Sequence, residues 1–195
     1  MLLPKVKNNM INVIQKKQKT GIVKKLDFLE NQVNYAYLAI GSNLGNKILN
    51  LELVKYELSK KKVHVVKSSS FYKTKSWPNP KFPEFINAVL YIKTNISLQK
   101  LFKNIKLIEK SLGRVKKPKN YPRICDIDII DFNGKIFDYL KINLTVPHPS
   151  IEKRNFVLMP LYEINKNWIH PKTKKNVVNL ISKLKYSDIR SIKLI

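Results

Sequence analysis

The tightest constraint on the fold is a pattern that occurs twice: strand-like apolar alternation gives way to a helical period and then returns to a strand. "YAYLAI" is the first strand, closed by the turn-forming cluster "GSNLGN". In "NKILNLELVKYELSKK", Ile48, Leu51, Val54 and Leu58 recur at the spacing of one helix face. "VHVVKSSSFYKT" reads as the returning strand, and the proline-rich "KSWPNPKFP" as a loop that regular structure cannot accommodate. The second round runs from the strand "EFINAVLYIKT" through the helix "SLQKLFKNIKLIEKSLG", with Ser97 to cap it and Gly113 to end it. It closes on "RICDIDIIDF", which Asn133-Gly134 marks as leading to a hairpin turn. Strand-helix-strand repeated in this way is the split arrangement of the ferredoxin-like α+β sandwich, a mainly antiparallel sheet with helices on one face. Two short strands in "KIFDY" and "LTVPHPS", a helical stretch through "EKRNFVLMPLYEI" and a last helix around "NVVNLISKLK" complete the chain.

The first 34 residues stand apart: they are lysine-rich, hold no acid before Asp27, and contain neither an arginine nor a hydrophobic signal core. They read as a flexible basic extension, with residues 35–195 as a single domain. The one cysteine, Cys125, excludes an internal disulfide framework and fits a reducing compartment, the cytoplasm. No segment approaches a membrane span. The net charge of +25 favours anionic partners, but nearly all of it is lysine in a chain also rich in Asn and Ile. That pattern reads as compositional bias ahead of nucleic-acid binding.

Within "RICDIDIIDF", Asp126 and Asp128 lie two apart on one strand face, with Cys125, Ile127 and Ile129 on the other. Paired carboxylates repel unless a cation joins them, and Mg²⁺ characteristically takes one or two carboxylates together with substrate phosphates. The preceding loop supplies Arg114, Lys116, Lys117, Lys119 and Arg123, cations of the kind that neutralise charge in phosphoryl transfer. Arginine is seldom used in this chain and grips phosphate with a fork that lysine lacks. In "FINAV", Asn87 offers a donor and an acceptor to a heterocycle edge, and Phe85 shares its face. "TVPHPSIEKRNF" groups Thr145, His148, Arg154 and Phe156.

Taken in order, "AIGSNLGN", "SSFYKT", "FINAV", "IEKSLGRV", "PRICDIDII" and "TVPHPSIEKRNFVLMPL" resemble the 6-hydroxymethyl-7,8-dihydropterin pyrophosphokinase family of folate biosynthesis. The resemblance spans about Tyr35 to Pro171. It implies a ferredoxin-like, Mg²⁺-dependent diphosphokinase that moves pyrophosphate from ATP to the pterin hydroxymethyl oxygen. By the same resemblance Asp126 and Asp128 hold two Mg²⁺, and Arg114 and Arg123 are catalytic phosphate contacts. Glu109, Lys116, Thr145, His148 and Arg154 join them in binding ATP, while Thr74, Trp77, Phe85, Asn87 and Phe156 bind the pterin. ATP and the pterin are the only partners expected, with no nucleic acid and no membrane, for a monomer. Nothing large enough to be a neighbouring folate enzyme follows Pro171. The family pattern R-[WY]-G-P-R appears here as Asn120-Tyr121-Pro122-Arg123 without its glycine, and Lys116 stands where an arginine is usual. An RNA-binding module on the same fold would need an aromatic sheet motif. That motif is missing, and unmetallated aspartates on the sheet face would repel phosphate.

Overall fold

Alternation in "NYAYLAIGS" produces the central strand, β1 (Asn34–Ser42), which sends Leu38 and Ile40 to one side of the sheet and Tyr37 and Ala39 to the other. In the computed structural model, residues 32–76, 79–115, 118 and 120–195 are described, and Asn34–Ile195 makes one compact unit. The basic extension therefore lies outside the described residues as far as residue 31, and Asn34, assigned to it from sequence, already belongs to β1.

Helix α1 (Lys47–Lys60) starts at Asn46, whose side chain accepts from the Leu49 N–H, and buries Leu51, Val54 and Leu58. Ile48, placed on that face by the period, is instead 45% exposed in the first turn, where the helix enters beyond the core. Helix α2 (Leu98–Ser111) is capped by Ser97 accepting from the Lys100 N–H, and Gly113 follows it at φ +90°. Both helices pack on one face of the sheet over Leu38, Ile40, Ala88, Leu90, Ile127 and Ile129. Each fully buried leucine or isoleucine there contributes about 1.5–3 kcal/mol.

The other strands are β2 (Val63–Ser68), β3 (Tyr72–Thr74), β4 (Phe85–Thr94), β5 (Asp126–Phe132), β6 (Phe137–Tyr139), β7 (Leu144–Val146) and β8 (Lys193–Leu194). The main sheet is antiparallel in the order β5-β1-β4-β3-β8, with β2 also on β4. The single strand read over "VHVVKSSSFYKT" is thus two, broken at Ser69–Phe71 but lying along one edge of β4.

Two further expectations change. Asn133 (φ 56°) and Gly134 (φ 64°) do form a tight left-handed turn, bridging Phe132 to Lys135. The chain then leaves the sheet, and β6 pairs with β7 rather than returning along β5. Helices also cover both faces. Helix α3 (Asn155–Ile164) and α4 (Val177–Ile181) pack on the second face with Val89, Ile130, Trp168 and Leu180. A bulge opposite Tyr37/Leu38 turns Ile130 into that cluster. Because α3 covers only part of this face, Asp126 and Asp128 are left partly exposed at the end of β5, their side chains 29% and 27% accessible.

Candidate active site

Register places the polar groups in rows across the second face. Gly41 of β1 lies opposite Asp126 on β5 and opposite Asn87 on β4, and Asn87 in turn lies opposite Tyr72 on β3. One step along, Ala39 lies opposite Asp128. Directly opposed residues share a face, and because Gly41 has no side chain the Asn87 amide can lie over its backbone on the side of the sheet that carries Asp126.

The aspartates are ringed by guanidinium groups. Arg114 Nη1 donates to Asp126 Oδ1 at 2.6 Å, Arg123 Nη1 to Asp126 Oδ2 at 3.0 Å, and Arg154 Nη1 to Asp128 Oδ2 at 2.5 Å. These are three of the four arginines in the chain. Burial opposes charge on Arg114, but Asp126 and Glu109 together hold its pKa above the ordinary value. His148 Nε2 is 3.8 Å from Asp128 Oδ2, and its Nδ1 accepts from the Ser150 N–H. Burial lowers the His148 pKa, partly opposed by Asp128.

Glu109, 3% exposed in the last turn of α2, is fully engaged. It pairs with Arg114 through Oε1, which also accepts from the Ile127 N–H at 3.0 Å, while Oε2 accepts from Lys106 at 2.9 Å. Glu109 thus ties α2 to the aspartate strand and steers Arg114 toward Asp126.

On the other side of Gly41, Asn87 is 6% exposed and donates through Nδ2 to Thr74 Oγ1 at 2.9 Å. Its Oδ1 sits 2.8 Å from where a Cβ on Gly41 would lie, with Phe85 Cδ1 at 3.5 Å from the same point. Asn87, Phe85 and Thr74 are therefore brought together. Phe156 lies at the start of α3, packed against the second cluster under the Arg154 guanidinium, 5.6 Å from its ring centre. Thr145 is not joined to the aspartates by any described contact; it is exposed on β7 and donates to Asp138 at 3.1 Å. Trp77 and Lys116 lie outside the described residues.

Three residues of this region carry no local signal in the sequence. Asn43 is buried and clasps two loops, its Oδ1 accepting from the Arg123 N–H at 2.7 Å and its Nδ2 donating to Pro83 O at 3.1 Å. Glu163 of α3 accepts from Ser70 N (3.0 Å), Ser70 Oγ (2.8 Å) and the Tyr72 hydroxyl (2.8 Å). Burial, and then Glu163, push the Tyr72 pKa up to about 12. The third aspartate of the run, Asp131, is structural: it accepts from Trp168 Nε1 at 2.8 Å and from the Gly134 N–H at 2.7 Å.

Among the described residues no three His, Cys, Asp or Glu side chains gather as metal ligands. The available donor set is the pair of carboxylates. A pair is too small for an all-protein cage but suits Mg²⁺, which completes its shell with water and phosphate oxygens.

Comparison with known proteins gives one consistent result. The family model described as 7,8-dihydro-6-hydroxymethylpterin-pyrophosphokinase (HPPK) matches residues 37–166. The chain is 39% identical over 135 residues to an Aquifex aeolicus protein named 2-amino-4-hydroxy-6-hydroxymethyldihydropteridine pyrophosphokinase, covering 69% of this chain and 82% of that one. It is 33% identical to the Haemophilus influenzae protein of the same name, covering 82% of this chain and 97% of that one. It is 34% identical to the folic acid synthesis protein fol1 of Pneumocystis carinii, covering 87% of this chain but only 22% of that protein. A crystal structure of Plasmodium falciparum HPPK-DHPS with pteroate superimposes at TM-score 0.66 with 17% identity, over 85% of this chain and 47% of that one. That likeness speaks for the fold.

Proposed function

Because this chain belongs to the 7,8-dihydro-6-hydroxymethylpterin-pyrophosphokinase family, we propose that it transfers a diphosphoryl group from ATP to 6-hydroxymethyl-7,8-dihydropterin, a step in folate biosynthesis. The observation that carries the reading is the Asp126/Asp128 pair, partly exposed on one strand face and held by Arg114, Arg123 and Arg154. The hydroxymethyl oxygen attacks the β-phosphorus, the bond from the α,β-bridging oxygen to that phosphorus breaks, AMP leaves, and the hydroxyl proton passes to solvent. No enzyme nucleophile is needed, so the protein works by positioning and by neutralising charge.

Asp126 and Asp128 would hold two Mg²⁺, which supply Lewis-acid charge neutralisation at the phosphates. Arg114 and Arg123, now on Asp126, are the catalytic cations that exchange a carboxylate for phosphate oxygens; Lys116, His148 and Arg154 extend the nucleotide side. Thr145 and Glu109 complete it in this assignment, with Glu109 acting through Arg114. On the pterin side, Asn87 reads the ring edge, Phe85 and Phe156 stack on it, and backbone around Thr74 and Trp77 is assigned to contact it. A reducing, cytoplasmic setting fits Cys125, which is a buried free thiol, and the assignment is for a monomer.

The test is product analysis with ATP, Mg²⁺ and the hydroxymethyl-dihydropterin. AMP is expected in equal amount to the pterin diphosphate, and stoichiometric ADP would refute the assignment. Asp126→Ala and Asp128→Ala should each abolish turnover with the fold retained, since partly exposed carboxylates add little to packing. Turnover like that of the parent in both variants would remove them from the metal site.

A further inference from the structure

The fourth arginine is not at the aspartates. Arg190 lies on α5 (Tyr186–Ser191), beyond the stretch matched by the family model, and lines a cavity of about 310 Å³. The other walls are Lys73, Lys75, Glu84, Ser187, Ser191 and Lys193. Four cations thus face a single carboxylate. Lys73 forms an ion pair with Glu84 at 3.4 Å, whereas Lys75, Arg190 and Lys193 have no ion-pair partner among the described residues.

Two observations separate this cluster from the lysine that covers the rest of the surface. The first is register: Lys73 on β3 lies directly opposite Lys193 on β8. Like charges at directly opposed positions, with Cβ atoms about 5 Å apart, destabilise a two-strand contact. The contact nevertheless forms, extended by the Ile195 N–H donating to Phe71 O at 3.0 Å. The second is residue choice. A chain that writes nearly all its positive charge as lysine places arginine here, with the guanidinium held over the Tyr186 ring at 5.4 Å. Both side chains are exposed, Tyr186 at 72%, so the fork is open to an incoming phosphate, which it can grip in a bidentate way that lysine cannot.

We propose that this cavity is a second anion site, taking a small phosphate-class dianion or polyanion that bridges Lys73, Lys75, Arg190 and Lys193. The volume is at the small end of ligand pockets, which fits inorganic phosphate, diphosphate or a mononucleotide phosphate. The bound anion fastens the C-terminal strand to β3, the strand that presents Thr74 to Asn87. The site does not depend on the diphosphokinase reading.

The full chain, labelled with ¹⁵N, is titrated separately with inorganic phosphate, inorganic diphosphate and AMP, following backbone amides by NMR. Saturating shifts are expected at Lys73, Lys75, Arg190 and Lys193, distinct from any at Arg114 and Arg123. The preferred probe identifies the source. In Arg190→Ala/Lys193→Ala the shifts at Lys73 and Lys75 should require at least about tenfold more anion, while those at Arg114 and Arg123 are unchanged. If the double variant fails to fold, Lys193→Gln alone makes the same comparison. Linear, non-saturating shifts in the parent chain, or the same shifts with chloride at equal ionic strength, would overturn the proposal. Diphosphate affinity at Lys73 unaltered by the substitutions would do so too.

Discussion

Gly41→Ala tests the pterin side without replacing any residue assigned to bind. Its φ lies outside the left-handed region, so the methyl brings no backbone strain. Its effect is steric and local: the new Cβ would lie 2.8 Å from Asn87 Oδ1, where ordinary contacts begin at 3.4 Å. The amide must withdraw by roughly half an ångström, on the steep wall of the contact potential. It is anchored at its other end by the 2.9 Å bond from Nδ2 to Thr74 Oγ1, and both residues are buried. Thr74 lies on the far side of β4 from Gly41, so a withdrawal of that size drives the amide against Thr74 or rotates it out of line with the bond. A buried polar group left unpaired or misaligned costs about 1–3 kcal/mol, or roughly ten- to a hundredfold in pterin affinity at 1.4 kcal/mol per decade. Calorimetric titration with the hydroxymethyl-dihydropterin, in the presence of Mg²⁺ and a non-hydrolysable ATP analogue, measures this directly. Affinity for the analogue itself should stay within about twofold, because no arginine contact changes. Asn87→Ala should lower pterin affinity by a similar factor, and the double variant should be no worse than either single one, since both act on one amide. Gly41→Ala binding pterin as the parent does would refute the argument, as would full additivity with Asn87→Ala.

Other outcomes are as direct. Burial, followed by the nearby Glu109, pushes the Cys125 thiol up to about 12, so iodoacetamide should leave it unmodified in the folded chain at mildly alkaline pH and label it on denaturation. Burial lowers the pKa of His170, whose Nδ1 accepts from the Lys172 and Thr173 N–H groups at 3.2 and 3.1 Å. The unfolded chain takes that proton first as pH falls below about 6.5, so stability present above that value is lost on acidification. Urea midpoints on either side of it should show a steeper acid loss in the parent than in His170→Gln. A chain beginning at Gln32 should fold and turn over like the full chain, as judged by melting temperature and AMP formation; loss of either would assign the basic extension a structural part.

What the sequence made legible was local. Ser97 capped its helix, Gly113 followed it, and Asp126 and Asp128 took one face of β5 with Ile127 and Ile129 on the other. These follow from periods and short-range hydrogen bonds that any few residues reveal. The hairpin turn at Asn133-Gly134 was equally local and did form, but the partner of β6 was not. Pairing with β7 is decided by distant contacts to which the turn is blind. Ile48 carried the period yet stayed exposed, because a helix end can overhang the layer it packs on. Covering the second face needed Val157, Leu158 and Leu161 of α3 to meet Val89 and Ile130, an encounter that no window of residues contains. The same holds for Glu163: nothing near it announces Ser70 and Tyr72 as its donors.

Those donors lie 93 and 91 positions before Glu163. A nascent chain lengthens at about 5–20 residues per second, so the ribosome delivers β3 well before it delivers the carboxylate that secures it. Arg154 and Phe156 emerge in the same late segment, long after Asn87 and behind Asp128. On the proposed reading, competence to bind nucleotide and pterin therefore waits until α3 has been synthesised. A translation product terminated between β5 and α3 would carry the acidic pair but lack the hold on Tyr72 and the cation on Asp128. Such a fragment would have its second sheet face bare, the kind of exposed apolar surface that aggregates or is degraded.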